Sequence, residues 1–153
     1  MKNNIAKEHL IDKVSTAPGF LLWQIEMCWQ RVINKVLTEY DLTYTQFIVL
    51  SICGWLTTAN KIVYQHQVAK HSKIDRMMTS RILASLEKKG YISRIKIDGD
   101  ARAKLVSLTA IGKTILDNSL KSVSETEAQF FKPGNKNFVE SMDDILSNCN
   151  NLC

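Results

Sequence analysis

Basic and polar side chains recur on one face of a predicted helix and again in the segment that follows it. An arginine can donate two parallel hydrogen bonds to the edge of a guanine, and a lysine pairs with phosphate as a point charge. Arg76 and Arg81 are therefore candidates for reading base edges, and Lys73, in the turn before them, is a candidate for contacting phosphate. These residue types at this spacing favour recognition of double-stranded DNA. The candidate contact residues are Lys73, Arg76, Met77, Ser80, Arg81, Arg94, Arg102 and Lys104.

The helix that must position these side chains is predicted to begin after Asp75 and to end before Gly90. Asp75 suits the N-cap, where its carboxylate accepts a bond from a free backbone N–H group. Gly90 suits the C′ position just after the helix C-terminus, because glycine enters the left-handed conformation readily. A short helix at Gln65 to His71 and a turn at Ser72 to Ile74 precede it. Apolar spacing predicts the buried stripe, which comprises Met78, Thr79, Ile82, Leu83 and Leu86. Taken alone, this pattern is also typical of an ordinary amphipathic surface helix.

A β-ribbon is predicted after this helix. Tyr91 to Ile97 is rich in β-branched residues, and Lys104 to Leu108 returns after a polar loop at Asp98 to Ala103 that contains an Asp-Gly turn. Two helices joined by a turn and followed by a basic hairpin describe a helix-turn-helix with a wing, an architecture that reads duplex DNA. Arg102, at the loop tip, is expected to enter the minor groove, whose negative potential favours an arginine.

The charge of the chain is concentrated on this segment. Residues 61–113 contain 12 basic and 4 acidic residues, whereas the remainder contains 8 basic and 11 acidic residues, within a net charge of +5. Lysines on an ordinary domain surface would not predict opposite signs in the two parts. The distribution therefore favours a phosphate-binding module in the middle of the chain.

The remaining elements are predicted to be helical. Thr43 and Gln46 match a capping box, and Thr109 suits another N-cap. A loop is expected at Thr57 to Lys61, and residues 1–17 read as a short helix or an arm. The predicted helices are Phe20 to Tyr40, Thr43 to about Leu56, Ala110 to about Phe131 and Asn137 to about Cys149.

The long helices at either end carry apolar residues on more than one face, so they need cover that one small domain does not supply. A homodimer is the economical solution. The predicted fold class is mainly α with a small β-wing (α+β), with N- and C-terminal dimerisation helices. Its regions are an arm and first dimerisation helix at 1–40, the winged helix-turn-helix at 41–109, and C-terminal dimerisation helices at 110–153.

The wing motif resembles that of the MarR family of bacterial transcriptional regulators. The family pattern is roughly Leu-Glu-x-x-Gly-Leu-Ile-x-Arg, then Asp-x-Arg-x-Lys, then Leu-Thr-x-x-Gly. A further family pattern, Leu-Thr-x-x-Gln-Phe-x-x-Leu, is similar to Leu42 to Leu50, and the resemblance extends over about residues 19–148. The wing positions that match are Leu86, Glu87, Gly90, Ile92, Arg94, Asp100, Arg102, Lys104, Leu108, Thr109 and Gly112.

The resemblance implies a sequence-specific regulator that binds double-stranded DNA as a homodimer, most often as a ligand- or stress-responsive repressor. Its recognition helices would enter successive major grooves about 34 Å apart, so the operator should be a pseudo-palindrome. It also implies a small-molecule effector pocket between the dimer helices and the winged helix, with walls from Trp23, Trp29, Phe47 and Tyr64. Some members sense oxidants through a cysteine in the first helix, so redox sensing through Cys28 is one alternative.

The sequence contains few features that would indicate an enzyme, a metal-binding protein or a membrane protein. The three histidines lack metal-ligand spacing, and there is no glycine-rich phosphate loop or nucleophile elbow, so neither an enzyme nor a metal or cofactor is expected. Cys53 reads as a core residue. No apolar run reaches the roughly 18 residues needed to span a bilayer, so the expected location is cytoplasmic, with no membrane partner. A winged helix that binds only proteins, and no DNA, is the second alternative.

Overall fold

The computed structural model describes residues 14–59, 62–97, 100–132 and 136–152. The described residues are mostly helical, with one antiparallel hairpin between the fourth and fifth of their helices, which is the fold class that the sequence predicts. Residues 1–13 of the expected arm lie outside the described residues. The elements are α1 (Pro18–Leu37), a 3₁₀ turn (Thr38–Tyr40), α2 (Tyr44–Ala59), α3 (Gln65–Ser72), α4 (Arg76–Lys88), β1 (Ile92–Ile97), β2 (Asp100–Leu108), α5 (Ala110–Phe130) and α6 (Lys136–Leu152).

Helix starts follow the predicted caps. The backbone N–H of Gln46 donates to Thr43 Oγ1 at 3.2 Å, and the Thr43 N–H donates to Gln46 Oε1 at 3.1 Å, which completes the capping box. Thr109 accepts the Gly112 N–H at 2.9 Å at the start of α5. Helix α1 begins at Pro18, two residues before the predicted start at Phe20, because the fixed φ and missing N–H of proline are tolerated in the first turn.

Helix α4, the predicted recognition helix, begins and ends where the sequence predicts. Asp75 Oδ1 accepts the Met78 N–H at 2.9 Å, and Gly90 has a φ of +75°. The predicted stripe is correct except at Met78, which is 48% exposed. At 100° per residue, Met78 lies about 90° from the centre of the stripe and therefore at its edge. The buried residues of α4 are Thr79, Ile82, Leu83 and Leu86.

Two predicted loops are shorter in the structure. Helix α2 continues to Ala59, so the loop expected from Thr57 was wrong for its first three residues, while residues 60 and 61 lie outside the described part. The hydroxyls of Thr57 and Thr58 donate to backbone carbonyls of their own helix at 2.7 Å, which lets both remain helical. Strand β2 begins at Asp100, so the predicted loop at 98–103 was also too long, and its Asp-Gly turn lies outside the described residues.

The hairpin is tied to the helices along both strands. Arg94 faces Val106, and Lys96 faces Lys104, in the antiparallel register. The N–H of Val106 donates to the Val63 carbonyl at 2.8 Å, which fixes β2 beside the start of α3. Ile92 and Val106 are buried, so one face of the hairpin belongs to the hydrophobic core.

A hydrophobic cluster joins helices α1 to α5 and the hairpin. Its fully buried members lie on α1, α2, α3, α4 and β1, and α5 closes it with Leu116 and Val123. The recognition helix is therefore held on one side by a packed core, which leaves its opposite face in a fixed orientation. The largest fully buried apolar side chains are Ile33, Leu37, Val49, Leu50, Val68, Leu83, Leu86 and Ile92.

The terminal helices leave apolar side chains exposed. Leu22 and Trp23 of α1 are 62% and 54% exposed, and Ile145 and Leu146 of α6 are 60% and 63% exposed. Within the described residues, no single helix is long and apolar enough to cross a membrane. One bent pair, Pro18–Tyr40 with Tyr44–Ala59, meets that test on length and composition alone.

Candidate nucleic-acid interface

The outward face of α4 carries the predicted base-reading residues. Arg76, Met77 and Arg81 are exposed, and Ser80 is half-buried between them. Met77 is 69% exposed, so its side chain is accessible for contact with a thymine methyl group. The structure thus brings these four residues together on one surface, as the helical spacing requires.

The turn before α4 adds positive charge. Lys73 ends α3 in the left-handed conformation, with a φ of +57°, and Lys70 lies exposed in the last turn of α3. A shallow cavity of about 560 Å³ opens here beside the N-terminus of α4, where the helix dipole favours an anion. It is lined by His66, Ala69, Lys70, Lys73, Ile74, Asp75 and Arg76.

The wing is basic on the side that faces α4. Lys96 is exposed and lies opposite half-buried Lys104. Arg102 lies in strand β2, and its side chain is outside the part of the chain that the structure describes. Lys104 also lies close enough to Glu87 to lower the pKa of that carboxyl slightly further, after the larger effect of Arg94.

Arg94 is already engaged within the protein. Its Nε and Nη2 donate to Glu87 Oε2 at 2.9 and 2.6 Å, and its backbone N–H donates to Glu87 Oε1 at 3.2 Å. Hydrogen bonding from Arg94 lowers the pKa of Glu87, so the carboxyl is ionised at neutral pH. Glu87 was not among the residues predicted to form the site. Its available signal was the Leu-Glu-x-x-Gly motif, with an arginine seven residues after the glutamate.

The four aromatic residues expected around an effector do not meet in one cavity. Trp29 and Phe47 are buried, and both pack against Tyr44. Trp23 is exposed on α1, and Tyr64 caps α3. Trp29 and Phe47 lie in the hydrophobic core because burial of large apolar side chains is favourable.

A cavity of about 660 Å³ lies instead between α2 and α5. Trp55 and Leu120 supply apolar walls, Lys113 and Asp117 add opposite charges, and Thr109 lies at the end nearest the wing. These residues were missed because they come from elements more than fifty positions apart. Its lining comprises Ser51, Gly54, Trp55, Thr57, Thr58, Leu108, Thr109, Ala110, Lys113, Leu116, Asp117 and Leu120.

The cysteines divide by burial. Cys53 is fully buried, as predicted, and burial raises the pKa of its thiol to about 12. Cys28 and Cys149 are exposed free thiols, and Cys153 lies outside the described residues. Among the described residues, no group of three or more His, Cys, Asp or Glu side chains is arranged to hold a metal ion.

Comparison with known proteins gives the same picture. The family model for the MarR family matches residues 42–104. The uncharacterized HTH-type transcriptional regulator YdcH of Bacillus subtilis is 39% identical over 134 residues, which cover 86% of this chain and 91% of that protein. The HTH-type transcriptional regulator SarZ of Staphylococcus haemolyticus is 30% identical and covers 78% of this chain and 82% of its own.

Solved structures share the fold. MarR C80S from E. coli, complexed with operator DNA, superposes with a TM-score of 0.71 at 25% identity and covers 86% of this chain and 91% of its own. CouR from Rhodococcus jostii RHA1, bound to p-coumaroyl-CoA, has a TM-score of 0.74 at 24% identity, with 89% and 93% coverage, and shows likeness of fold alone. These matches agree with the wing motif, the helix order and the basic recognition face. The chain belongs to the MarR family of DNA-binding transcriptional regulators and is not an enzyme.

Proposed function

We propose that this DNA-binding regulator acts as a homodimeric repressor that covers a promoter at a pseudo-palindromic operator and is released by a small-molecule effector. The single observation that carries the proposal is the exposed face of α4, where Arg76, Met77, Ser80 and Arg81 project from a helix buried on its other side. A rigid helix of this kind can present its side chains to base edges without further ordering.

Positive charge near the start of α4 and in the wing supports contact with the DNA backbone. Lys70 and Lys73 lie on one side of the helix N-terminus, and Lys96 and Lys104 lie in the wing. Ammonium groups near phosphate release condensed counterions, so binding should weaken steeply with salt. We propose that Lys73 and Lys104 contact phosphate, that Arg102 enters the adjacent minor groove, and that Arg76 and Arg81 read bases.

Dimer formation is supported by the exposed apolar surface of the terminal helices. Leu22 and Trp23 on α1, with Ile145 and Leu146 on α6, are more than half exposed. Large contiguous apolar surface on a small chain marks an interface, and a two-fold interface would use the same patch twice. Two α4 helices would then reach half-sites about 34 Å apart.

Effector binding is supported by the cavity between α2 and α5. Apolar walls with a lysine and an aspartate at the rim suit a small amphipathic molecule that carries a polar or charged group. Thr109, in the lining, also bonds to the end of α4, so an occupant of this cavity would touch the element that joins the dimer helices to the wing.

The test is selection of bound sequences from random duplexes, followed by sedimentation equilibrium of the protein with and without the selected duplex. We expect an inverted repeat with half-sites one helical turn apart and a dimer at micromolar concentration. Transcription from a promoter that contains the selected site should fall when the protein is added. A monomer would contradict the proposed dimer. Failure to enrich any duplex sequence would contradict specific DNA binding and favour the protein-interaction alternative.

A further inference from the structure

We propose that Glu87 and Arg94 are positioning residues for DNA binding, which fix the angle between the wing and the recognition helix, and that Arg94 acts through this pair and not on phosphate. The inference rests on the proposed function, because it concerns how the wing and α4 act on one duplex. It assigns an indirect role to an arginine whose charge and place in the wing suggest direct contact.

The contact is a three-point attachment. Both oxygens of the Glu87 carboxylate are used: Oε2 accepts two bonds from the Arg94 guanidinium, and Oε1 accepts the Arg94 backbone N–H. A single ion pair between long side chains would leave the strand free to rotate about it. A carboxylate that holds the backbone and the side chain of one residue fixes both the distance and the twist of the strand.

This attachment links the end of α4 to strand β1 of the hairpin. Glu87 lies in the last turn of α4. Arg94 lies in the middle of β1, opposite Val106 of β2, and its backbone N–H donates to Glu87 and not to β2. In the described part of the sheet, β1 is hydrogen-bonded to β2 alone, so its outer N–H groups need other partners. Glu87 supplies one, and in doing so it docks the hairpin onto the helix.

Burial separates Arg94 from Arg76, Arg81 and Lys96, which are exposed. Its side chain is only 12% exposed, whereas the Glu87 side chain is 38% exposed. To reach a phosphate, Arg94 would have to break its charge-assisted hydrogen bonds to Glu87. The Glu87 carboxylate would then lose its partner. Lys96, two residues later on the same strand, is exposed and carries no such attachment in the hydrogen bonds described, so it is better placed for a phosphate.

The effect on the wing follows from its construction. Strand β2 carries Arg102 and Lys104 and is held by β1, so any rotation of β1 moves the whole basic tip. A wing released from α4 would keep its charge but would spend less time in register with the adjacent groove. Affinity would then fall because ordering of the hairpin would accompany binding.

Electrostatic repulsion and the positioning role predict opposite changes in DNA affinity when Glu87 is removed. Glu87 is a negative charge on the DNA-facing lobe, and removing it lowers repulsion from phosphate and frees a guanidinium. If charge alone governed the interface, loss of Glu87 would strengthen DNA binding. The positioning role predicts the opposite change, so the direction of the effect decides between them.

The experiment measures affinity of the full-length protein for the selected duplex across a salt series, for Glu87→Gln, Glu87→Ala and Arg94→Lys. We expect Glu87→Ala and Arg94→Lys to weaken binding about tenfold and Glu87→Gln less, with the salt slope of Arg94→Lys unchanged. Hydroxyl-radical footprints should lose protection in the flanking minor grooves. Guanine N7 protection in the major groove should remain, which a general loss of structure would not produce.

The matched control is Asp41→Asn, which removes the negative charge of the other ion pair at this end of α4. Asp41 pairs with Lys89 at 3.1 Å, its side chain is 76% exposed, and it makes no hydrogen bond to the hairpin among those described. Asparagine also tolerates the left-handed φ of +51° at this position. We expect its affinity and footprint to match the wild-type protein. Thermal unfolding of each variant establishes that it is folded. If Glu87→Ala is unfolded, the test uses Glu87→Gln instead.

Wild-type affinity or tighter binding by Glu87→Gln and Glu87→Ala would overturn the inference, as would full affinity of Arg94→Lys. Retained minor-groove protection in all three variants would do the same. Absence of duplex binding by the wild-type protein would overturn the proposed function itself. Normal wild-type binding beside unchanged variants would overturn only the positioning role.

Discussion

The hydroxyl of Thr109 donates a hydrogen bond to the carbonyl oxygen of Gly90 over 2.6 Å, and so joins the first turn of α5 to the end of α4. The same oxygen caps α5 by accepting the Gly112 N–H. One side chain therefore ties a candidate dimerisation helix to the recognition helix. Three backbone groups, the carbonyls of Gly90 and Tyr91 and the N–H of Gly112, lie within 3.2 Å of this hydroxyl oxygen.

Gly112→Ala should disrupt this junction. A Cβ added at Gly112 would lie 1.7 Å from the carbonyl oxygen of Tyr91, so the backbone of one element must move. We expect a loss of more than about 3 kcal/mol in the free energy of unfolding, or failure to fold, as judged by urea titration. Gly19→Ala is the matched control, since nothing lies within 4 Å of its new methyl group, and it should be neutral or slightly stabilising. Equal stability of the two variants would contradict the close approach.

Arg76→Ala and Arg81→Ala should separate base reading from backbone contact. Each should cost roughly 1–3 kcal/mol on the selected duplex and much less on random duplex, because a lost base contact is felt only where that base is present. Fluorescence anisotropy on both duplexes measures the difference. Equal losses on the two duplexes would mean that neither arginine reads bases, and Met77 or Ser80 would become the candidates.

Lys73 needs a different substitution. Its φ of +57° makes alanine strained there, so Lys73→Asn is preferred because asparagine tolerates the left-handed region. Losing a phosphate contact should weaken binding to selected and random duplexes by similar factors and lower the salt slope by about one unit. The same salt titration applied to Lys35→Ala, an exposed charge in the last turn of α1, should show no change. A loss confined to the selected duplex would contradict the assignment to phosphate.

Arg102→Ala should weaken binding to every duplex, and most at sites flanked by narrow A·T-rich minor grooves. An inserted arginine gains most where the groove potential is most negative. The measurement is a gel-shift titration with duplexes that differ only in the flanking base pairs. Equal affinity of variant and wild-type protein on all of them would show that the wing tip does not enter the groove.

Cys53 should make stability fall at alkaline pH. The folded protein holds the thiol proton to a pKa of about 12, whereas the unfolded chain releases it near 9.0. The stabilisation is therefore complete below pH 9 and is lost as the pH rises from 9 towards 12, by up to roughly 1.4 kcal/mol per pH unit. Urea titrations of wild-type protein and Cys53→Ala across this range give the difference. Cys28→Ala, which removes an exposed thiol, should keep the wild-type slope, and a parallel decline in Cys53→Ala would contradict the assignment.

The sequence by itself predicted the parts of the fold that depend on near neighbours. Asp75, Thr43 with Gln46, and Thr109 all act as helix caps, because a capping bond spans only three residues and can be read from their spacing. The concentration of positive charge on residues 61–113 and the wing motif were equally visible, since neither requires a contact partner. Together they were sufficient to identify the family and the helix-turn-helix with its wing.

Only the tertiary structure decided which residues are free to act. Arg94 carries the charge of a DNA contact, yet its guanidinium is held by Glu87 on another element. Trp29 and Phe47 were expected to line a pocket, yet the core buries them, and the cavity between α2 and α5 has walls from distant parts of the chain. Burial and pairing depend on which surfaces meet after folding, and residue type and spacing do not encode that directly.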